Sequence, residues 1–551
     1  MAQLVLGPLL RHVDEQAATV WVEVDEPCEV EVLGCAARSF TVEGHHYALV
    51  VCDGLEPGTA RSYQVHLDGE PAWPEPGSSF PPSRIRTRDG TREEPLRLVF
   101  GSCRVTRPHH PPHTGRTGKQ GVGPDALHAY AVQMLGSDPS TWPDALLLVG
   151  DQVYADEPSP GTVAYIRGHR DVSQPPGEGV ANFHEYTVLY QEAWSDPTIR
   201  WVLSTVPTSM VFDDHDVHDD WNTSAAWRRD MQAKSWWPAR IEGGLMAYWL
   251  YQHLGNLRPF ELADDETYRR VREVEDGGAV LRAFAAEADR EADGGKPYRW
   301  SYRRDFGGVR MLVVDSRCGR VLDSGERSMV DEAEWRWIVE QVQDCPDHLL
   351  IASSLPVLLP PAISGLESWD EALCDGAWGR RWARWGEVLR RAADLEHWAA
   401  FRRSFDALVE LVAEVGAGAR GDAPASITFL GGDVHFSYLA KASYPPGRGV
   451  TSRVHQVVCS PVRNPVQRSI RGLDRLARTA VGRGLGRALL RSVRVRPSEL
   501  SWQVDHGPWF DNQLATVAME GRSARVWLEQ PRAGEPDPSL ERVFEHDLTP
   551  D

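Results

Sequence analysis

The sequence predicts an α/β chain fronted by a small antiparallel β-sandwich. Three observations carry that expectation. Residues 1–92 alternate short half-buried strand patterns with turns, continuous apolar strands begin at residue 96, and long helical or irregular stretches separate them. The resulting division is a sandwich over 1–92 and one elaborated domain over 93–551.

In the first segment, ATVWVEV, CEVEVLG, HYALVVCDGL and SYQVHLDG each have the length of a strand with one buried face. The piece GLEPGTARSYQVHLDG, with Pro57 and Gly58 ahead of Tyr63, resembles the corner of fibronectin- and immunoglobulin-like sandwiches, where a Tyr hydroxyl binds nearby backbone.

The apolar runs 96–100, 145–149, 209–212, 309–314, 348–351 and 427–430 lead into GSCR, GDQVYAD, DDHDVHDDWN, DSRCGR, ASSLP and GGDVHFSY. Ligands of open α/β sheets bind at the carboxyl ends of strands, so polar residues recurring there point to one shared site. Tryptophans 227, 236, 237 and 249 lie in one inserted stretch and 369, 378, 382, 385 and 398 in another; both sets are expected to pack, because large aromatics dominate core burial.

Composition narrows the function classes. With 551 residues, 42% hydrophobic and 25% charged, the chain reads as a folded protein with neither disorder nor a fibrous repeat. Its 59 Lys+Arg against 79 Asp+Glu give a net charge of −20, which repels nucleic acid and anionic lipid unless a local basic patch overrides it. No nucleic-acid role is expected. Eight cysteines without a CxxC pair exclude a disulfide scaffold and a zinc ribbon. No signal peptide or apolar membrane span is read, so the expected location is cytoplasmic. One basic exception exists. Residues 463–496 hold ten arginines with apolar residues at helical spacing, a pattern that packs on its own domain or makes a weak membrane or anion contact.

The chemistry concentrates in three motifs. In GDQVY, Asp151 is a candidate bridging ligand for two metal ions, and Tyr154 is placed to reach back to the same ion; a phenolate favours a hard trivalent metal such as Fe(III). Gly-Asp after a strand is also a common turn. FDDHDVHDDWN packs five Asp and two His into eleven residues, a repulsive cluster unless a cation or phosphate chemistry accounts for it. There Asp214 is the candidate ligand and His215 the phosphate contact and proton donor, with Asp219, Asp220 and Asn222 behind them or at an extra divalent-ion site. In LGGDVHFSY, Asp433 and His435 face the same side of an extended segment, a spacing that suits two ligands of one centre.

Cys103 at the first strand tip is a core thiol, a nucleophile or a thiolate ligand; a Cys-x5-Arg phosphatase loop fails because the sixth residue after it is His109. Arg317 can grip phosphate in bidentate fashion, with Asp315 and Arg320 holding it by ion pairs.

Taken in order behind a sandwich, GSC, GDQVYAD, DDHDV, DSR and GGDVHFSY resemble the PhoD-like (alkaline phosphatase D) metallophosphatases. The resemblance implies a calcineurin-like four-layer α/β/β/α domain, action on phosphate mono- and diesters by a metal-activated hydroxide, and Fe(III) with Ca(II) or another divalent metal. It further implies Cys103, Asp151 and Tyr154 on iron, with Asp214, Asp433 and His435 completing the centre. Asp219 and Asp220 stand where many members have an Asn pair, and Asp216 where they have Glu. Two rival readings are a non-catalytic protein that binds a partner or membrane through the sandwich and Arg-rich helix, and a thiol hydrolase using Cys103.

Overall fold

A computed structural model of the chain describes residues 1–115, 120–464, 480–532 and 538–549. Among them two mixed sheets pack face to face. The first runs Thr208–Val211, Ala145–Val149, Leu96–Gly101, Leu514–Glu520, Ser523–Pro531 and Leu540–Asp547; its first three strands are parallel neighbours. The second is centred on Val309–Val314, His348–Ser353 and Ser426–Gly431, also parallel neighbours.

Two-residue periodicity explains why these runs are apolar throughout. Leu96, Leu98 and Phe100 meet Met311, Val313 and Leu350 of the opposite sheet, whereas Val99, Leu146 and Leu148 point the other way into a helix-covered core. Leu312, Val314 and Ile351 do the same on the far side, against the helix Arg402–Gly416. The architecture is the expected α/β/β/α stack behind an N-terminal sandwich.

The sandwich pairs Leu4–Val13, Ala18–Val24, His45–Cys52 and Phe40–Val42 in one sheet and Cys35–Arg38, Glu29–Val32, Val65–Leu67 and Glu70–Trp73 in the other. Two sequence expectations change. Strand Ala18–Val24 is buried on both faces: Val20 and Val22 fill the sandwich, while Trp21 joins Tyr47 and Tyr251 in the core of the larger domain. The Tyr63 hydroxyl does not tie its own corner, since it donates to the carbonyl of Ser204 across the junction, at 2.6 Å.

Arg11 makes the same junction directional. Its buried guanidinium donates to the Tyr251 carbonyl at 2.9 Å, the Gln252 carbonyl at 2.6 Å and Asn256 Oδ1 at 3.0 Å. Tyr251 and Gln252 belong to a π-helical turn, Tyr248–His253, of a type that recurs at functional sites. Gln252 Nε2 in turn donates to Asp216 at 3.2 Å, and Asp216 accepts the backbone N–H of Asp213 at 2.8 Å and of Val153 at 3.3 Å. The sandwich is thereby linked to two strand-tip loops through one relay.

The tryptophans divide. Trp227, Trp237, Trp249, Trp369 and Trp398 are buried as expected, but Trp378, Trp382 and Trp385 are not; their exposures are 40%, 48% and 51%. Of the Arg-rich segment, residues 465–479 lie outside the described residues, and Ala480–Ser492 is a helix. Arg463 is not part of that helix. It is buried and donates to the carbonyls of Arg107, Pro108 and Gly123, pinning the loop after Cys103.

Replacing Arg11 with Met leaves buried carbonyls unpaired, and the expected loss is about 3 kcal/mol. A urea midpoint lowered at unchanged slope is the measurement that checks it; an unchanged midpoint would remove Arg11 from the junction.

Candidate metal centre

The six strand tips converge. The N–H groups of Cys103 and Arg104 donate to the carbonyls of Gly150 and Asp151 within the first sheet and Gly432 N–H to Ser354 within the second, while the N–H groups of Val462 and Arg463, after a strand of the second, donate to Ser102 and Cys103 of the first, so loops of both sheets are stitched together by backbone. At this seam the chain leaves ordinary conformations: Cys103, Asp151, Asp433 and His435 have φ of +58°, +48°, +63° and +57°. Each costs of the order of 1 kcal/mol for a non-glycine residue, and such strain concentrates where side chains are aimed at a ligand. Gly432 shows how close the approach is. A Cβ there would overlap the Ser102 side chain and lie 2.7 Å from the Val149 carbonyl.

Two clusters of donor atoms result. Cys103, Asp151 and His435 place ligand atoms within 4.8 Å of one another, and so do Asp151, Asp213 and Asp214, with Asp151 common to both. Tyr154 reaches back as its spacing suggested, its hydroxyl 3.3 Å from Asp151 Oδ2 and accepting from Asn464 Nδ2 at 2.9 Å. Asp433 lies alongside, its carbonyl accepting the Cys103 thiol at 3.5 Å.

The protonation chemistry shows what the clusters lack. Burial, then Asp151 and Asp433, push the Cys103 thiol well above its ordinary range. Burial also raises Asp151 and Asp213, reinforced by neighbouring carboxylates. Among the described residues, Asp151 Oδ1 and Asp213 Oδ2 are buried without a hydrogen-bond partner. A thiol among carboxylates becomes a thiolate only if a cation joins it, so this donor set fits metal ions and does not fit a free cysteine nucleophile. His435 suits a ligand as well: burial lowers it to about 4, which keeps the imidazole neutral.

His215 is the opposite case. Burial disfavours its charge, but the hydrogen bond to Asp156 and the fields of Asp214, Asp156 and Asp151 outweigh burial and raise it well above its ordinary value. Its Nδ1 sits 3.0 Å from both Asp156 oxygens and its ring packs on Tyr154 at 4.7 Å between centroids.

Arg317 departs from expectation. Its buried guanidinium is committed to carboxylates: Nε donates to Asp213, Nη1 to Glu396 at 2.6 Å, and Nη2 lies 3.4 Å from Asp214. It neutralises and orients ligand candidates and has no open face for phosphate. Asp315 supports it through backbone, accepting the N–H groups of Arg317 and Cys318, while Arg320 shares Glu396. Asp219 and Asp220 donate their backbone N–H groups to Asp156 and Asp214, at 2.8 and 3.0 Å.

Several residues escaped the sequence reading. Asp213 joins Asp151 and Asp214 in the second cluster, and nothing in the doublet Asp213-Asp214 distinguishes the two neighbours. Glu367, His397 and Asp433 form a chain, with His397 Nδ1 2.8 Å from Glu367 and Nε2 3.1 Å from Asp433. Their sequence separation leaves no spacing signal. In the His-rich loop, His109 and His128 stack at 4.0 Å with only 14° between planes. One ion cannot lie in the plane of both rings so stacked, although Asp196 is near.

A family model described as PhoD-like phosphatase matches residues 128–481, well over half of the chain. The chain belongs to the PhoD-like phosphatases. As a PhoD-like phosphatase it is a phosphohydrolase. A second family model, a domain of unknown function (DUF7800), matches residues 1–85. A solved structure titled "Structure of PhoD" shares the fold of this PhoD-like chain at TM-score 0.59 and 12% identity, covering 99% of this chain and 90% of that one. A maltogenic amylase from S. marinus, at TM-score 0.15 and 9% identity over 95% of this chain and 76% of that one, has no bearing on the fold. None of the curated proteins matches the chain.

Two outcomes follow from this electrostatic arrangement. In the metal-free protein Asp219 and Asp220 titrate at about 7 and about 8, and Asp394 at about 6, raised first by burial and then by surrounding carboxylates. These carboxylates then hold more protons in the folded state than in the unfolded chain, so their contribution to stability falls as pH rises; below about pH 6.5 the buried histidines lowered to about 4, among them His12, His109, His435 and His455, act the other way. Metal-stripped protein is expected to lose Tm between about pH 6.5 and about pH 8, where only the carboxylates still titrate, and a divalent ion to flatten the loss; a Tm rising with pH over that range would contradict the arrangement. Replacing His397 with Gln frees the Asp433 carboxylate from its brace and is expected to weaken metal affinity about tenfold, measured by competition with a chromophoric chelator.

Proposed function

We propose that this PhoD-like phosphatase hydrolyses phosphate mono- and diesters with Fe(III) plus Ca(II) or another divalent ion at the seam between the sheets. The observation that carries this reading is the pair of buried carboxylate oxygens without a hydrogen-bond partner among the described residues, one on Asp151, which groups with the Cys103 thiol, and one on Asp213, which groups with Asp151. Cys103, Asp151 and Tyr154 would hold iron, and Asp214, Asp433 and His435 complete the centre, with Asp213 added from the geometry. Bound there, the ions would supply charge neutralisation and Lewis acidity for the phosphate.

The chain's own groups do the rest. His215 is held at Nδ1 by Asp156 and keeps Nε2 as proton donor to the leaving oxygen. Tyr154 packs against its ring and limits its rotation. Arg317 is a positioning residue: it offsets repulsion between Asp213, Asp214 and Glu396 so that the carboxylates stand in one orientation. The sandwich over 1–92 carries no chemistry and braces the domain over 93–551 through Arg11.

Metal analysis of protein purified without chelator, paired with Asp151→Asn, tests the reading. Bound transition metal in the parent protein, its loss in the variant, and at least a roughly hundredfold fall in bis-p-nitrophenyl phosphate hydrolysis are expected. A parent protein active without metal, or an equally active variant, would overturn it. Binding of a partner without hydrolysis would favour the non-catalytic alternative.

A further inference from the structure

The helix Arg380–Ala392, RRWARWGEVLRRA, breaks two rules of a folded surface at once. Trp382, Trp385 and Val388 recur every third residue, so they neighbour one another along the helix, and their exposures are 48%, 51% and 66%. Trp378, just before the helix, extends the row; successive centroids from Trp378 to Trp382 to Trp385 are 5.4 and 6.1 Å apart. Its indole N–H donates to the carbonyl of Ser492 at 3.2 Å, which joins the row to the helix Ala480–Ser492. That helix leaves Leu485 61% exposed. It reaches the patch across Gly365 and Gly486, so closely that a Cβ on Gly365 would lie 3.1 Å from the Gly486 Cα.

Arginines crowd the two helices that carry these apolar side chains. Arg380, Arg381 and Arg384 on the first helix and Arg487, Arg491, Arg494 and Arg496 on and after the second are exposed. Among the described residues none of the seven forms an ion pair, although Arg390 and Arg391 on the inner side of the same helix do. Glu387, the acidic residue within the first helix, is consumed by Ser224, Arg390 and Arg391. On a chain of net charge −20, seven arginines on and after these two helices, without an ion pair among the described residues, form a local field of opposite sign.

We propose that this face docks on an anionic lipid bilayer. Trp rings are amphipathic bodies that settle at the headgroup level, aliphatic Val388 and Leu485 enter just beneath it, and arginines meet lipid phosphates in bidentate fashion. Charge complementarity selects the lipid surface over a second copy of this acidic chain. The exposed aliphatic side chains Val388 and Leu485 favour it over a nucleic acid, because they offer no ring face on which a base can stack and gain only by entering an apolar phase. The first helix ends two residues before Asp394 and five before His397, so docking sets the metal-site seam at a defined position relative to the bilayer.

Co-sedimentation of the full chain with vesicles of phosphatidylcholine alone or with phosphatidylglycerol tests the proposal. The parent protein is expected to bind the anionic vesicles, and to release as salt rises. Trp382→Ala with Trp385→Ala, and separately Arg381→Glu with Arg384→Glu, are each expected to lower partitioning on the order of tenfold or more. Because all four positions are exposed, Tm and hydrolysis of a small soluble ester should stay at parental values, which separates lost docking from lost folding and from failure of the catalytic reading. Several results would each overturn it: no binding to either vesicle, parental binding by both variants, binding of a single-stranded oligonucleotide instead of vesicles, or a dimer that dissociates in the Trp variant.

Discussion

Mutual repulsion among buried acids governs this molecule. Asp151, Asp213, Asp214 and Asp433 gather with a thiol where two sheets meet: Arg317 offsets part of the charge, His215 and His397 another part, and two of the carboxylate oxygens have no hydrogen-bond partner among the described residues. Much of the surrounding structure follows from this constraint. The cations placed behind the cluster are themselves buried and held by further carboxylates, Glu396, Asp156 and Glu367, so the deficit is distributed outward over two layers. Left-handed backbone at four candidate ligands is the mechanical counterpart: strands alone do not turn their side chains toward a common point.

Much of the core and the centre was legible in the linear sequence because both obey short-range rules. Ala145–Val149 and Val309–Val314 were readable to the residue, since strands buried on both sides need uninterrupted apolar runs. Asp151 with Tyr154, and Asp433 with His435, were readable because each pair is local in sequence. What the linear sequence does not carry is long-range. The three carboxylates around Arg317, on Asp213, Asp214 and Glu396, come from distant segments that nothing in DSR announces. His397 braces Asp433 from another part of the chain. Tyr63 matched a known corner motif, yet the second domain offered Ser204 as a partner that the isolated sandwich lacks.

The net charge conceals two regions of opposite character. Acidic excess at the seam suits cations, whereas the arginines beside Trp382 and Trp385, Arg381 and Arg384, form no ion pair among the described residues. The tryptophan counts of the two inserted stretches look alike, but one set lies around Trp237 and Trp249 within a core, and the other climbs out of it. Periodicity does not separate these cases, because a row at every third position serves a core and a membrane face equally well.

The relay from Arg11 through Gln252 and Asp216 to the backbone of Asp213 and Val153 limits how such a chain can be rearranged by recombination. A sandwich without a cation at the place of Arg11 would leave the carbonyls of Tyr251 and Gln252 buried and unpaired at the π-helical turn. The front module, although it supplies none of the candidate ligands, is therefore a structural support of the strand-tip loops and not an interchangeable appendage.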